Sequence, residues 1–417
     1  MKYFTKAMLI WGLVSNLWSQ DSVWKPVKND ARAEGLINYG RTLDLFEHST
    51  KPEWGYAKPQ TDTFAVLHPV TSKVNSPLYV VLHSAGHDVI SCIRCTNKVG
   101  NHDIYHAPKD HFALYLDCRA NKGDWWWGGM HKRSKELTER NGGAKRSAVE
   151  RRVIDTVQWV IETYKIDPDR VYLCGNSMGG SGALGIGMRH GDVFAAVKAN
   201  VPAGIEHVSQ RMGFTPFTVP QNVRLPDPPV IVDYSGTNDG WSDGHERFVM
   251  AMNERKYPLY FYWGPFGHAN NHSKIMAVND LINSFDWLGV RKNEAYAVFT
   301  NASSDDEVPW PNQKAVKTSG QLNGWLRWKM LTDLVDVMEI ELFLVSPDTL
   351  ETRFDIPDQV IADVSLRRLQ SFEAVENMVF KWSYGEHSGE GVADDQGVMT
   401  VPRLTMTAKS VVLMIEK

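Results

Sequence analysis

The stretch Gly175-Asn176-Ser177-Met178-Gly179-Gly180 sets one hydroxyl among glycines, directly after the apolar run Val171-Tyr172-Leu173-Cys174. G-x-S-x-G at a strand-to-helix junction holds a serine on a sharp, strained turn with its Oγ exposed. Side chains beside that serine would crowd the turn, and Gly175, Gly179 and Gly180 relieve the crowding. The helix expected just after it aims its positive end at a place where an anion can form. The chemistry this suggests is nucleophilic attack on a carbonyl through a covalent acyl intermediate. The bland alternative is a glycine-rich turn with no chemistry.

A serine hydroxyl is a weak nucleophile without a base, and the base needs an acid to orient it. With this motif the order along the chain is serine, acid, histidine. "VIVDYSGTNDGWSDGH" supplies Asp239 where a strand opens into a turn, with Asp243 a little beyond and Asp233 inside the strand. Asp239 is preferred for its position. "YFYWGPFGHANNHSK" supplies His268, first after its strand and preferred, and then His272. The oxyanion needs backbone donors. Met178 follows the nucleophile and offers one N–H; Ser84 or Ala85 in "LYVVLHSAGHD" offers the other, and His83 reads as structural. Trp241, just past the acid, and Trp126 in "GDWWWGGM" are candidate substrate-binding residues, as walls of an acyl or sugar pocket.

These residues need a frame. "SPLYVVLHSAGHD", "HFALYLDCR", "VYLCG", "FAAVKANVPAG", "PPVIVDYSGTND" and "PLYFYWGPFGH" read as strands. Val149, Val153, Val157, Val160 and Ile161 recur at helical spacing, and that helix ends before the Pro168 turn. "SGALGIGMRHG" reads as a small-residue helix and "INSFDWLGV" as a closing helix. Strands alternating with helices predict an α/β class with a mostly parallel sheet and helices on both faces. After residue 290 short alternating strands take over, predicting an all-β, sandwich-like domain over 291–417.

The run "VIDTVQWVIETYKIDPDRVYLCGNSMGGSGAL", with "VVLHSAG" upstream, resembles the α/β-hydrolase superfamily. Within it, the run is similar to the secreted esterase and polyhydroxybutyrate-depolymerase-like group, which includes feruloyl and acetylxylan esterases; prolyl-oligopeptidase-type catalytic domains are similar too. The resemblance spans roughly residues 60 to 290. It implies Ser177 as nucleophile, His268 as base, Asp239 as its orienting partner and Met178 as an oxyanion donor. The "HSAG" loop departs from the commoner His-Gly-Gly run.

The remaining composition narrows the setting. The 417 residues exceed one ordinary core, and a net charge of −4 gives no basic excess for nucleic acid. Lys2, Lys6 and the apolar run Ala7–Trp18 read as a signal peptide over residues 1–20, so export to the periplasm or beyond is expected, without a membrane anchor. The catalytic domain then runs from 21 to 290. Among Cys92, Cys95, Cys118 and Cys174, one disulfide involving Cys92 or Cys95 is open, while Cys174 reads as buried and inert. No cofactor or metal is expected. The leading reading is a serine ester hydrolase acting on a small-molecule or oligosaccharide ester, acetylated or feruloylated. A serine peptidase and a non-catalytic glycan binder on the same scaffold are the alternatives. Oligomeric state is not readable.

Overall fold

The computed structural model describes residues 24–33, 40–71, 73–95, 100–118, 126, 146–214, 225–269, 281–311, 319–350 and 355–417. The expected leader and His272 lie outside these residues. Among the described residues no helix is long and apolar enough to cross a membrane.

The helix Ala148–Tyr164 shows how local sequence sets an element. Ser147 accepts from the Glu150 backbone N–H and the Glu150 carboxylate accepts in return, a reciprocal cap that fixes the start. Val149, Val153, Val157 and Val160 all face the core, each contributing about 1.5–3 kcal/mol by burial. The helix stops where Lys165 adopts a left-handed φ of 55° and leads into the Pro168 turn.

Among the described residues, nine strands follow one another through the first part of the chain: β1 (Val27–Lys28), β2 (Leu43–Ser49), β3 (Thr61–Leu67), β4 (Leu78–Leu82), β5 (Phe112–Leu116), β6 (Val171–Asn176), β7 (Ala196–Asn200), β8 (Val230–Gly236) and β9 (Leu259–Gly264). A further nine come later: β10 (Tyr296–Thr300), β11 (Gly320–Leu322), β12 (Leu326–Asp333), β13 (Val337–Leu344), β14 (Gln359–Arg367), β15 (Val379–Tyr384), β16 (His387–Val392), β17 (Thr400–Thr407) and β18 (Val411–Glu416). The large sheet has the order β1-β2-β3-β5-β4-β6-β7-β8-β9-β11. From β5 through β4 to β9 every pairing is parallel; the flanking pairings are antiparallel. The parallel strands are buried on both faces, as helices covering both sides require. Alternate residues separate cleanly: Leu78, Val80 and Leu82 pack with the valines of Ala148–Tyr164, while Tyr79 and Val81 pack with Val89 and Ile93 of the helix Val89–Arg94.

The later strands form two antiparallel sheets, β10-β14-β17 and β12-β13-β18-β15-β16. In β13 Met338, Ile340, Leu342 and Leu344 are buried and alternate with partly exposed residues, the pattern of a sheet with one face in a core. That core is continuous with one face of the large sheet. Arg368, itself buried, donates to the carbonyls of Phe194, Ala195, Pro228 and Arg291. Arg367 binds Asp227 at 2.7 Å, and Lys256 binds Asp394 at 2.7 Å. These anchors lie where β7, β8 and β9 begin, so the β domain docks at the opposite end of the sheet from the tips of those strands.

Two details depart from the sequence reading. The three residues of β11 return from beyond residue 290 to pair with β9. Residues 284–290 form turns rather than a closing helix, because Phe285 and Trp287 are drawn onto the sheet, with Trp287 against Tyr79 and Tyr172. The four cysteines are thiols, so the disulfide left open for Cys92 or Cys95 does not form. Cys174 is buried between sheet residues, and burial pushes its thiol up to about 12.

Candidate active site

Of residues 171–190, all are buried except Ser177. The turn is built by steric exclusion. A Cβ on Gly179 would lie 1.9 Å from the Leu82 carbonyl oxygen in β4, and one on Gly175 would lie 2.2 Å from the Gly179 oxygen. Ser177 itself takes φ 56°, ψ −116°, a strained conformation for a residue with a side chain. Its N–H donates to the Asn200 carbonyl at 2.9 Å, and its own carbonyl accepts from Ala203 N–H at 3.0 Å, so the tip of β7 holds the turn. The helix Met178–Gly187 starts immediately, without a side-chain cap at Ser177. The first N–H groups of a helix have no intrahelical acceptor, so Met178 N–H is presented at the serine.

Ser177 Oγ lies 2.7 Å from His268 Nε2. His268 Nδ1 lies 2.6 Å from Asp239 Oδ2. The second oxygen of Asp239 accepts from Trp241 N–H at 2.9 Å. A carboxylate can only accept, so Nδ1 carries the proton and Nε2 is left to receive the serine's. The structure thus brings together Ser177, His268 and Asp239 from the ends of β6, β9 and β8. Asp239 is buried, whereas the His268 side chain is 30% exposed, which leaves its imidazole open to solvent. Asp243 is exposed at the end of the same turn, and Asp233 bonds instead to His245. Asn101 Nδ2 donates to the His268 carbonyl at 3.2 Å, while Tyr234 donates to Asn101 Oδ1 at 3.1 Å. Nothing in the sequence around Asn101 signals that role.

In the loop after β4, Ser84 and Ala85 differ in their surroundings. Ser84 N–H donates to the Tyr105 hydroxyl at 3.0 Å, so it is already committed and Ser84 is not a backbone donor to an oxyanion. His83 Nε2 faces Cys118 N–H at 2.9 Å and Asp117 Oδ1 at 3.2 Å, while the carbonyl that its Nδ1 faces can only accept, so Nδ1 carries a proton. That Nδ1–H donates to the Ser84 carbonyl at 2.8 Å, and His87 N–H donates to the same oxygen at 3.1 Å. In a trans peptide the N–H points opposite to the carbonyl, so pinning Ser84 C=O fixes the direction of Ala85 N–H. Ala85 is exposed.

The two tryptophans part company. Trp241 is half-buried with its ring centroid 6.4 Å from that of His268, at the mouth of the site. Trp126, expected to line a pocket, is entirely buried. Its indole N–H donates to the His83 carbonyl at 3.1 Å, and a Cβ on Gly182 would sit 2.6 Å from its ring. It supports the loop and the elbow helix from behind. The other residues of that aromatic loop, 123–125 and 127–130, lie outside the described residues.

A strained serine at the tip of a parallel strand, an imidazole and a buried carboxylate in chain order meet the geometry of nucleophilic acyl transfer. Residues 117–213, which contain the elbow, match the family model named Esterase. The likeness to that family lies in the segment that bears the elbow. No curated protein matches the chain. Among solved structures, the chain is similar to the fluorophosphonate-binding serine hydrolase F of Staphylococcus aureus, at 13% identity, covering 60% of this chain and 98% of that one with a TM-score of 0.40. It is also similar to an S-formylglutathione hydrolase from Agrobacterium tumefaciens, at 15% identity, 58% and 91% coverage and a TM-score of 0.38. A ferulic acid esterase from the anaerobic fungus Anaeromyces mucronatus gives 17% identity, 58% and 88% coverage and a TM-score of 0.37.

Proposed function

We propose that this serine hydrolase is exported and removes acetyl or feruloyl groups from polysaccharide-derived esters. The observation that carries the chemistry is the continuous line of hydrogen bonds from Ser177 through His268 to Asp239. Ser177 Oγ attacks the ester carbonyl as its proton passes to His268 Nε2. Asp239 stabilises the imidazolium that forms. The oxyanion is received by Met178 N–H and Ala85 N–H. His268 then gives the proton to the departing sugar oxygen, leaving an acyl-serine. Water attacks that ester with His268 again as base, releasing the acid and restoring Ser177.

The substrate class is supported by Trp241 beside the catalytic imidazole, where an indole face suits a sugar or a feruloyl ring. Export is supported by the Lys-then-apolar order of residues 1–20. The test is release of acetate or ferulate from acylated xylo-oligosaccharides, beside Ser177→Ala and a panel of peptide anilides. Release by the wild type and none by Ser177→Ala is expected. Anilide cleavage without ester turnover would replace the esterase reading with a peptidase.

A further inference from the structure

A second set of serine, histidine and carboxylate lies beneath the acid turn and is sealed from solvent. Asp233, Ser235 and His245 are each 0% exposed. His245 Nε2 is 3.1 Å from Asp233 Oδ2 and 3.3 Å from Ser235 Oγ. Its Nδ1 is 2.7 Å from the Ser242 carbonyl, an oxygen that only accepts, so Nδ1–H donates there. The ring stacks on Phe261, 4.7 Å away and within 6° of parallel, with Trp310 beside both at 4.7 Å from the imidazole. Such a set cannot reach a substrate. It also carries a cost, since Asp233 Oδ1 is buried with no hydrogen-bond partner among the described residues.

What the set touches explains it. Ser242 closes the short helical turn Gly240–Ser242 that Asp239 itself caps. The start of that turn is held by Asp239 accepting from Trp241 N–H, and by Ser242 N–H donating to the Asp239 carbonyl at 3.0 Å. Its end is held by His245, which is tied back to β8 through Asp233. The turn is therefore anchored at both ends to the strand that delivers the acid. We propose that Asp233 and His245 form a buried strut that positions Asp239 against His268. They are positioning residues, since neither touches the reacting atoms. The inference rests on the catalytic roles proposed above for Asp239 and His268.

The test compares wild type, His245→Phe and the double variant Asp233→Leu/His245→Phe. Phenylalanine keeps the stack on Phe261 beside Trp310 but removes all three polar contacts, and it strands the Asp233 carboxyl. The double variant removes that stranded group, so it is the one expected to fold well. Three quantities are read: kcat and KM on p-nitrophenyl acetate, the acidic limb of the kcat/KM profile, and the downfield His268 Nδ1–H proton resonance by NMR. In the folded double variant kcat is expected to fall by about tenfold to a hundredfold with KM within about twofold, the cost of a small misplacement in a catalytic group. The acidic limb is expected to move to lower pH and the downfield proton to shift upfield, because His268 loses part of its hold on Asp239. A folded double variant with wild-type kcat, limb and resonance overturns the strut. The resonance reads the His268–Asp239 contact without any turnover. An inactive wild type that shows this proton, with its loss in the double variant, therefore refutes the esterase reading while upholding the strut.

Discussion

Replacing Asp239 with asparagine leaves the shape of the site almost unchanged and reverses its hydrogen-bond logic. The carboxylate faces two donors, His268 Nδ1–H at 2.6 Å and Trp241 N–H at 2.9 Å, and accepts from both. An amide has one accepting and one donating end. If its oxygen stays on Trp241, its NH2 faces His268 and forces Nδ1 to accept. The imidazole proton then moves to Nε2, 2.7 Å from Ser177 Oγ, and the base can no longer take the serine's proton. If the amide turns the other way, its NH2 meets Trp241 N–H and the turn loses its cap. The first arrangement keeps the fold and abolishes the right tautomer. The expected loss is about 10⁴-fold in kcat, as for a wrong tautomer in other serine triads, equivalent to about 5.5 kcal/mol of transition-state stabilisation. KM is expected to change little, because the substrate does not touch Asp239. The assay is initial-rate hydrolysis of p-nitrophenyl acetate with a thermal melt of the same sample. A folded Asp239→Asn enzyme within tenfold of wild type would refute the role given to Asp239.

Further outcomes follow from the same geometry. Gly179→Ala puts a Cβ where the Leu82 carbonyl stands and pushes β4 away from the elbow; a loss of about 3 kcal/mol is expected at the upper end of overpacking costs, read as a fall in melting temperature, and an unchanged melt would count against the close approach. Glu150 is buried at the start of its helix, where it binds Arg211 and His190. Burial alone would raise its carboxyl, but the Arg211 and His190 charges outweigh this and hold it down to about 2, below its ordinary 4.5. A depressed folded-state value means the contribution is complete above pH 4.5 and is lost as pH falls toward 2. Glu150→Gln strands the Arg211 charge, so it should cost about 3–5 kcal/mol at neutral pH and flatten the decline between pH 4.5 and 2; denaturant melts across that range measure both.

The elbow was legible because its cause is local: a strained serine tip needs small neighbours, and the glycines sit within four residues of it. Asp239 and His268 were legible because strand ends in a parallel sheet share one edge, so order along the chain becomes proximity in space. The oxyanion loop was half legible. That Ser84 N–H is spent and that its carbonyl is pinned depends on Tyr105 and on His83 Nδ1–H. No spacing rule encodes contacts of that range. Trp126 misled because its aromatic, glycine-rich neighbours suggest a pocket, whereas the gap above Gly182 that buries it belongs to another element. The docking of the β domain hangs on Arg368, an arginine in an otherwise alternating sequence, and β11 is too short to show a period.

The most direct measurement is mass-spectrometric mapping of a fluorophosphonate adduct on the intact protein and on His268→Ala. A single adduct is expected on the peptide bearing Ser177, formed rapidly in the wild type and nearly absent without His268. Labelling at another serine, or equal labelling with and without the imidazole, would contradict it.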